Sequence, residues 1–348
     1  MLTPPMLKSL VPNLRCAVCG AESPRLQLHI FEDGEAGHVK DGVVACGACK
    51  SWYPIENELL ELVKPELLYA EDYQAFVARF GERLNALGLA AAACGAGDVL
   101  PQAAQRRHFD WYAYNPDQTY NAYQHSPFWK AFDATTFKVW KAQIRPGGML
   151  LDVGCADGRS CFPFIDCGAT IVGLDISKAL VRQAIARAAQ HQAQASTTFL
   201  VADASVLPFR DGTFESVVIY GVLHHVPNPG ATCREAYRLL QPGGVYFGSE
   251  NNVTVFRWAF DLLMKLRPIW REEAGDQPLI SQSHIERWLD GLPATITCRS
   301  SVFVPPQLVN LLGDRHAPRV LAISDRLFTA LPGLRQQGGL IVFEVRKP

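Results

Sequence analysis

The sequence predicts an α/β protein in which a doubly wound, mostly parallel sheet follows a small β-rich ribbon. Two observations support this prediction. Between residues 146 and 250, short apolar segments typical of buried strands alternate with helical segments. Within the first 65 residues, two Cys-x-x-Cys pairs have the internal spacing of a metal site. We therefore expect a ribbon over residues 1–65, a helical and aromatic cap over 66–145, and an α/β domain over 146–348.

The composition is that of a globular protein, and we expect a cytoplasmic one. The 348 residues are 48% hydrophobic and 19% charged, with a net charge of −1. Binding to nucleic acid through phosphate neutralisation needs a basic excess, which this chain lacks. No run of about 18 apolar residues occurs, and prolines interrupt the N-terminus where a signal peptide has its apolar stretch. In the cytoplasm, cysteines bind metals more often than they form disulfides.

The ribbon is predicted from four cysteines, Cys16, Cys19, Cys46 and Cys49. Each pair can form a tight turn, and two such turns held by antiparallel strands place four thiolates tetrahedrally, a geometry that suits zinc. We expect a strand over Leu26–Phe31 and a polar turn over Asp33–Gly42, with Gly20 and Gly47 at positive φ. Because four thiolates leave no open coordination position, the zinc would be structural. A redox dithiol is the weaker alternative.

Residues 66–145 are predicted to cap the α/β domain. Glu66 to about Leu100 is Ala-rich and helical in pattern, with a loose end at Gly95–Asp98. Nine aromatic residues follow: Phe109, Trp111, Tyr112, Tyr114, Tyr120, Tyr123, Phe128, Trp129 and Phe132. Such density is typical of a cap whose rings pack on a sheet. The alternative is a surface or lid that binds a flat, apolar ligand.

The α/β domain is predicted from its strands and the loops after them. Strands are expected over Met149–Val153, Thr170–Asp175, Thr198–Asp203 and Phe214–Tyr220, with a helix from Lys178 through Ala189. In such folds, ligands bind beyond the carboxyl ends of the strands. There the first strand enters the glycine-bearing loop Gly154–Ser160, and the second ends at Asp175, 23 positions beyond Asp152. That spacing suits an acid that binds ribose hydroxyls.

A nicotinamide dinucleotide is the natural competitor for this site. Its fingerprint is Gly-x-Gly-x-x-Gly, whose glycines approach a pyrophosphate. Here Ala156 lies between Gly154 and Gly158, and Asp152 lies within the first strand. An acid at that position favours a ligand with an amino group, such as a sulfonium amino acid joined to adenosine.

Residues from about 149 to 250 resemble the class I methyltransferases of the Methyltransf_11 type. The matching segments are, in order, LDVGCADGRS, VGLDIS, VADASVLPF, YGVLHHVPNP and LLQPGGVYFGSEN. The resemblance implies a Rossmann-like sheet and S-adenosylmethionine as cofactor. Upstream, Leu14 to about Val63 resembles the Trm112-like zinc ribbon family, in which a Tyr-Pro-Ile strand follows the second cysteine pair. In some members that ribbon activates or steadies a methyltransferase partner, so here it would be fused in cis.

The class I resemblance implies ten cofactor-binding positions: Asp152, Gly154, Ala156, Asp157, Gly158, Asp175, Ile176, Asp203, Ala204 and Tyr220. Asp152 and Gly154 would contact the methionine moiety, and Asp175 the ribose. Ile176, Asp203 and Ala204 would contact the adenine, and Tyr220 would line the methyl-transfer face. Ala156 is a departure, because most relatives have glycine there. Its methyl group fits if φ is negative, and we expect a lower cofactor affinity.

Methyl transfer needs the acceptor, methyl carbon and sulfur in line, and it needs a base only when the acceptor loses a proton. His224 and His225 follow the fourth strand and are the candidate bases, with His225 slightly preferred. Tyr220 is a further candidate at the reacting centre. The alternative is that both histidines are structural. The segment from Tyr220 to Leu223 lacks the Asn/Asp-Pro-Pro-Tyr element of relatives that methylate nucleic-acid bases.

The C-terminal third is predicted to complete the sheet with a helix over Gln282–Asp290 and antiparallel strands over Ala294–Val304 and Leu340–Arg346. Insertions at about 252–280 and 305–336 are expected to form the acceptor pocket. Both combine aliphatic or aromatic residues with arginine and lysine. Packing on the domain is the simpler interpretation of these segments, and contact with a membrane surface is the alternative.

These features predict an S-adenosylmethionine-dependent methyltransferase with a structural zinc. Its acceptor would be a small molecule or a carrier- or lipid-linked metabolite. The alternatives are a cofactor-binding scaffold without catalysis and an RNA methyltransferase, and the net charge of −1 disfavours the latter.

Overall fold

The structure is a computed structural model that describes residues 7–34, 38–90, 100–115, 125–194, 196–266 and 278–348. Within these residues, one sheet of eleven strands runs through the molecule. The strands, numbered in chain order, are β1 (Leu26–Asp33), β2 (Val39–Cys46), β3 (Trp52–Glu56), β4 (Leu59–Leu62), β5 (Met149–Val153), β6 (Thr170–Asp175), β7 (Thr197–Ala202), β8 (Phe214–Tyr220), β9 (Leu240–Asn251), β10 (Thr295–Ser301) and β11 (Leu340–Arg346). Their order in the sheet is β1-β2-β3-β4-β7-β6-β5-β8-β9-β11-β10.

The centre of the sheet has the doubly wound topology that the sequence predicts. From β4 through β7, β6, β5 and β8 to β9, neighbouring strands are parallel, and β11 and β10 complete that edge antiparallel. The predicted strands of the α/β domain are confirmed. The largest difference is at the end of β10, which stops at Ser301 rather than Val304. Strand order reverses between β5 and β8, and such a point opens a crevice for a ligand.

Helices cover both faces of the sheet. In the described residues, the α-helices are α1 (Leu7–Leu10), α2 (Ala70–Ala86), α3 (Pro101–Tyr114), α4 (Pro127–Lys141), α5 (Lys178–Gln190), α6 (Pro229–Leu239), α7 (Arg257–Leu266), α8 (Gln282–Trp288), α9 (Pro306–Asn310) and α10 (Gly313–Thr329). Apolar side chains of α2, α4, α5, α9 and α10 belong to one core, and those of α1, α6 and α8 to the other. A sheet covered on both faces explains why its central strands are mostly apolar.

The ribbon strands continue this sheet. β1, β2 and β3 are antiparallel, and β4 turns back from β3 to lie parallel to β7, with Leu60 beside Leu200. The predicted polar turn over Asp33–Gly42 is wrong in its second half, because Val39–Cys46 forms β2. Gly42 lies inside that strand, where an added Cβ would be 2.4 Å from the carbonyl oxygen of a residue of β1. This glycine therefore permits a close approach of two strands rather than a turn.

Polar contacts join the ribbon to helix α5. The ammonium group of Lys178 lies 2.6 Å from a carboxylate oxygen of Glu61 in β4 and 2.8 Å from one of Asp72 in α2. Arg182 donates to the carbonyl oxygens of Glu56 and Asn57, at 2.8 Å each. Since α5 begins just after the end of β6, these contacts fix the ribbon against an element that borders the crevice. The limits assigned to the three parts of the chain stay predictions.

The cap consists of α2, α3 and α4. The predicted Ala-rich helix is shorter than expected, and Gly95–Asp98, Tyr120 and Tyr123 lie outside the described residues. Phe128 and Phe132 are buried in the core, as the simpler interpretation of the aromatic cluster predicts. In the part of the chain that the structure describes, no helix combines the length and apolar character needed to cross a bilayer.

Candidate functional site

An open cavity lies at the carboxyl edge of the parallel strands, next to the point where strand order reverses. Its volume is about 1480 Å³, including the space at its mouth. Nine predicted site residues line it: Gly154, Ala156, Asp175, Ile176, Asp203, Ala204, Tyr220, His224 and His225. Phe109 of α3 and Trp129 of α4 line it from the cap side. This is the position at which α/β folds bind small ligands.

Two carboxylates at strand ends line the cavity. Asp175, at the end of β6, accepts the backbone N–H groups of Ala156 and Ser177 at 2.9 Å each. Asp203, just after β7, accepts the N–H of Ser205 at 2.8 Å. Burial raises the pKa of Asp175 to about 6. Each carboxylate oxygen has two lone pairs, so both acids keep acceptor capacity for the hydroxyl and amino groups of a ligand.

The loop after β5 approaches the cavity with left-handed backbone. Gly154 has φ of +71°, and an added Cβ would lie 2.3 Å from a methyl carbon of Val222, so only glycine fits. Ala156 has φ of +48°, so the negative φ named as the condition for its methyl group to fit is not met. Its methyl group packs with Ala113 of the cap and Leu180 of α5. Contact with the cap thus offsets part of the backbone strain at Ala156.

Asp152 does not line the cavity. It is fully buried, and its Oδ2 accepts the Ser160 hydroxyl at 2.6 Å and the Cys161 thiol at 3.0 Å. Its Oδ1 has no hydrogen-bond partner among the described residues. Burial raises the pKa of Asp152 to about 6. Asp152 therefore braces the loop with one oxygen and has an unsatisfied acceptor in the other.

Asp157 and Gly158 also lie outside the described cavity lining. Asp157 forms an ion pair with Arg187 of α5 at 2.5 Å. Gly158 has φ of +90°, and an added Cβ would lie 2.3 Å from the ring of Phe162. These contacts support a role in shaping the loop, and the expected contact of both residues with a cofactor stays a prediction.

A buried histidine–carboxylate pair stands at the cavity wall. Nδ1 of His224 lies 2.6 Å from Oε2 of Glu250. The other oxygen of Glu250 accepts the N–H groups of Val222 at 2.9 Å and Leu223 at 2.7 Å, which fixes the carboxylate. When a carboxylate holds one ring nitrogen of a histidine, the second nitrogen is the one that can accept a proton from a substrate.

The geometry favours His224 over His225 as a base. The ring of His225 lies against those of His224 and Phe109, with centroid distances of 4.0 and 5.1 Å, whereas Glu250 holds the ring of His224. Glu250 was not singled out from the sequence, although it is the penultimate residue of the last matching segment. The sequence signal that could have pointed to Glu250 is an acid near the carboxyl end of β9, because ligands bind at that edge of the sheet.

Tyr220 belongs to a second network at the cavity wall. Its hydroxyl donates to Oδ1 of Asp133 in α4 at 2.5 Å. Arg159 forms hydrogen bonds of 2.7 to 3.0 Å to both oxygens of Asp133. The guanidinium lies over the rings of Trp129 and Tyr220, 4.8 and 5.2 Å from their centroids. Because the Tyr220 hydroxyl is engaged with Asp133, the network supports a wall position for Tyr220 rather than proton transfer. No sequence motif pointed to Asp133.

Of the two insertions, the first reaches the cavity. Arg257 and Phe260 of α7 line it. None of the described residues over 305–336 lines it, and their place in the acceptor pocket stays a prediction. Instead this segment holds α4. The side chain of Asn310 accepts the N–H at the start of α4 at 2.9 Å, and Asp314 pairs with Lys130 at 2.8 Å.

The four cysteines form a compact cluster in the ribbon. The sulfur atoms of Cys16 and Cys49 are 3.5 Å apart, those of Cys19 and Cys46 are 3.7 Å apart, and all four lie within 4.8 Å of one another. Four sulfurs at about 2.3 Å from one zinc ion, placed tetrahedrally, are ~3.8 Å from each other. The donors and their spacing therefore fit zinc.

The two cysteine turns are alike except in their left-handed residue. Gly20 donates its N–H to the carbonyl oxygen of Cys16, and Lys50 donates to that of Cys46, both at 2.9 Å. Gly20 has φ of +71°, as expected, and Lys50 has φ of +64°. The positive φ expected for Gly47 is wrong, because the left-handed residue follows the second cysteine of each pair instead of lying between the two.

Comparison with known proteins identifies the central part of the chain. Residues 151–248 match the family model of the methyltransferase domain. The 27-O-demethylrifamycin SV methyltransferase of Amycolatopsis mediterranei is 35% identical over 102 residues, which are 29% of this chain and 38% of that protein. The demethylmenaquinone methyltransferase of Renibacterium salmoninarum is 33% identical over 99 residues, 28% of this chain and 39% of that protein.

Among solved structures, the phosphoethanolamine N-methyltransferase 2 of Haemonchus contortus, in complex with S-adenosyl-L-methionine, is 17% identical. The match has a TM-score of 0.45 and covers 69% of this chain and 60% of that chain. This chain spans about two fifths of the length of the two curated relatives.

The fold and the cavity define a class: a Rossmann-like α/β domain with a ligand cavity at the carboxyl edge of its parallel strands, extended by a β-rich region with a four-cysteine cluster. The match to the family model of the methyltransferase domain covers residues 151–248. The ribbon and the cap lie outside the matched residues, so their contribution rests on the geometry described above.

Proposed function

We propose that this chain is an S-adenosylmethionine-dependent methyltransferase whose acceptor is a small molecule or a carrier- or lipid-linked metabolite. The observation that carries the proposal is that the Gly154 loop, Asp175 and Asp203 meet at one cavity in a domain of the methyltransferase family. Asp175 would bind the ribose, and Ile176, Asp203 and Ala204 would contact the adenine. When bound, S-adenosylmethionine supplies a methyl group on a sulfonium, whose leaving group is neutral.

The unpartnered Oδ1 of Asp152 supports an amino group in the bound cofactor. A buried carboxylate oxygen without a donor is unfavourable, by about 1–3 kcal/mol or more. The amino group of the methionine moiety would relieve this cost, directly or through one water. Asp152 would then act from behind the loop rather than from the cavity wall.

His224 is the base that we propose for acceptors that lose a proton. Glu250 holds Nδ1 of its ring, and His224 lines the cavity. Aromatic rings of Phe109, Trp129 and Tyr220 form other parts of the wall, which suits a flat, apolar acceptor. The names of the two curated relatives, which refer to demethylrifamycin and demethylmenaquinone, support a small-molecule acceptor.

The first experiment incubates the purified chain with methyl-labelled S-adenosylmethionine and fractionated cell extract. Label is expected in the small-molecule or lipid fraction. It should be lost with Asp175→Asn and kept with Asp290→Asn, an exposed acid outside the cavity. Label in RNA would replace the proposed acceptor class. Cofactor binding without label in any fraction would contradict catalysis and favour a scaffold that binds cofactor.

The role of His224 is tested with a matched pair of variants, His224→Gln and His225→Gln. For an acceptor that loses a proton, we expect the first to lower kcat by about 10²–10⁴-fold with little change in KM. The second should cost much less. A larger loss of kcat in His225→Gln would reverse the assignment, and Glu250→Gln should reproduce part of the His224 effect because Glu250 only orients the ring.

We also propose that the four-cysteine cluster binds zinc and that this zinc is structural. Metal analysis of the purified chain should find one ion per chain, lost in Cys46→Ser and kept in Cys298→Ser, a half-buried cysteine outside the cluster. A chelator should lower the thermal unfolding temperature of the parent chain. The molecule that receives the methyl group should stay the same. Zinc retained by Cys46→Ser would contradict the assigned ligands.

A further inference from the structure

Helix α7 carries an apolar row at the cavity mouth. Trp258, Leu262 and Leu266 recur every four residues and are 69%, 50% and 74% exposed. The structure describes every residue of α7, and none of their side chains is buried. Arg257 and Phe260 lie on a different side of this helix and line the cavity. A row of large apolar side chains in solvent marks an interaction surface.

A second apolar row begins on α10. Ile323, Leu327 and Leu331 are 58%, 61% and 50% exposed and also recur every four residues. On α10 itself, Ala317 and Leu321 are buried, so this helix has an inner apolar side as well. Because the inner side of α10 already packs on the domain, the exposed outer row is not needed for that packing.

Hydrogen bonds fix the chain before α7 to the chain after α10. The side-chain amide of Asn252 donates to the carbonyl oxygens of Gln336 and Gly338, at 2.9 and 2.7 Å. The hydroxyl of Thr254 donates to the carbonyl oxygen of Gln337 at 2.7 Å. The two rows thus arise from neighbouring segments at the same edge of the sheet. We refer to the six apolar residues, with Lys265, Arg319 and Arg326, as the basic apolar face.

Charge on the basic apolar face is predominantly positive. Lys265, Arg319 and Arg326 are exposed, and none of them forms a salt bridge to another described residue. The acids on the same helices are already engaged. Asp261 pairs with Arg257 at 2.7 Å, and Asp325 accepts hydrogen bonds from Ser301 and Val302 of the neighbouring strand and loop. Since the whole chain has a net charge of −1, this local excess of cations is distinctive.

We propose that the basic apolar face docks on an anionic lipid bilayer, with the cavity mouth beside the membrane. Apolar side chains flanked by lysine and arginine are what a bilayer with anionic headgroups binds. A second copy of this chain would oppose cations with cations if the same face paired with itself. The contact would be peripheral, and a cavity that opens beside it could receive an acceptor dissolved in the membrane.

Vesicle sedimentation with the full chain tests the proposal without requiring methyl transfer, so its failure leaves the proposed function standing. Phosphatidylcholine vesicles that contain phosphatidylglycerol should bind the chain, and vesicles of phosphatidylcholine alone should bind it at least about tenfold less. Added salt should weaken the binding. No binding, or equal binding to both kinds of vesicle, would overturn the proposal.

Two sets of variants separate the apolar from the charged contribution. Trp258→Gln with Leu262→Gln and Leu266→Gln should abolish binding. The double variant Arg319→Gln/Arg326→Gln is a milder change. It should weaken binding to anionic vesicles by about fivefold for each cation removed. Arg25→Gln with Lys64→Gln removes two exposed cations from the ribbon region and should have no comparable effect.

Circular dichroism and thermal unfolding check that each variant is folded, and the arginine pair tests the proposal even if the triple variant fails to fold. Undiminished vesicle binding by the arginine pair would overturn the proposal. A second outcome would also overturn the proposal: analytical ultracentrifugation shows a dimer of the parent chain that the triple variant does not form, and neither protein binds vesicles.

Discussion

Asp152 lies within β5 near its carboxyl end, and Asp175 ends the neighbouring parallel strand β6. Burial raises the pKa of each to about 6, yet the two acids differ in what they contact. Asp175 lines the cavity, and both of its oxygens accept backbone N–H groups. Asp152 lies away from the cavity with one oxygen unpartnered. The difference teaches that an acid within a motif can contact a ligand directly or support the loop that does, and that its surroundings decide which.

The largest effect should come from Asp175→Asn. We expect it to raise the Kd of S-adenosylhomocysteine and of 5′-methylthioadenosine alike, by about 10–100-fold, because both ligands present ribose hydroxyls to this carboxylate. Isothermal titration calorimetry measures both, and Asp290→Asn is the matched control. Equal affinities in the parent chain and Asp175→Asn would remove Asp175 from the ribose site.

Acidification should separate the same two acids. The carboxylate form of Asp175 accepts ribose hydroxyls, so ligand binding favours the ionised acid. With a pKa of about 6 in the free chain, affinity should be full above pH 7 and fall as pH drops through 6. At pH 5 the loss should be about tenfold for 5′-methylthioadenosine. In Asp175→Asn this profile should become flat, and a flat profile in the parent chain would contradict the prediction.

A smaller and more selective effect is expected from Asp152→Asn. If its unpartnered oxygen serves the amino group of the methionine moiety, the variant should bind S-adenosylhomocysteine about five- to tenfold more weakly. Its affinity for 5′-methylthioadenosine, which has no amino acid part, should not change. Loss of affinity for both ligands would mean that Asp152 acts only by supporting the loop.

The smallest effect is expected from Ala156→Gly. Glycine would relieve the left-handed strain, worth about 1 kcal/mol, but would lose the packing of the buried methyl group, worth a similar amount. The free energy of unfolding, measured with urea, should therefore change by less than about 1 kcal/mol. A gain well above that value would show that the methyl contacts with the cap contribute little.

Much of the fold was predictable because the signals are local. The strands β5 to β8 follow short apolar segments with glycine or acidic residues after them, and the cysteine cluster follows from the spacing within each pair. Glu250 was missed because it meets His224 only when β8 and β9 lie side by side. Asp133 was missed because it lies on a cap helix without a motif.

Left-handed residues were the weakest part of the prediction. Glycine is the usual signal for positive φ, but Ala156 and Lys50 adopt it where surrounding contacts hold the backbone. Gly42 serves the close approach of another strand instead, and Gly158 combines a positive φ with the close approach of a ring. A single sequence shows where the glycines are. It does not show whether a given glycine is there for a positive φ or for the close approach of another group. The parallel pairing of Leu60 with Leu200 is equally beyond local patterns, because it depends on the finished sheet.

The parallel pairing of β4 with β7 has a consequence for folding during synthesis. The cysteine turns are complete once Lys50 has emerged, long before the partner strand of β4 has been synthesised. If the cysteine cluster binds zinc as proposed, a nascent chain that loads the metal early can fold its ribbon and hold β4 ready as a template for β7. Without the ribbon, β7 would end the sheet as an open edge that other chains can join. The ribbon would then serve as a built-in guard against aggregation during biogenesis.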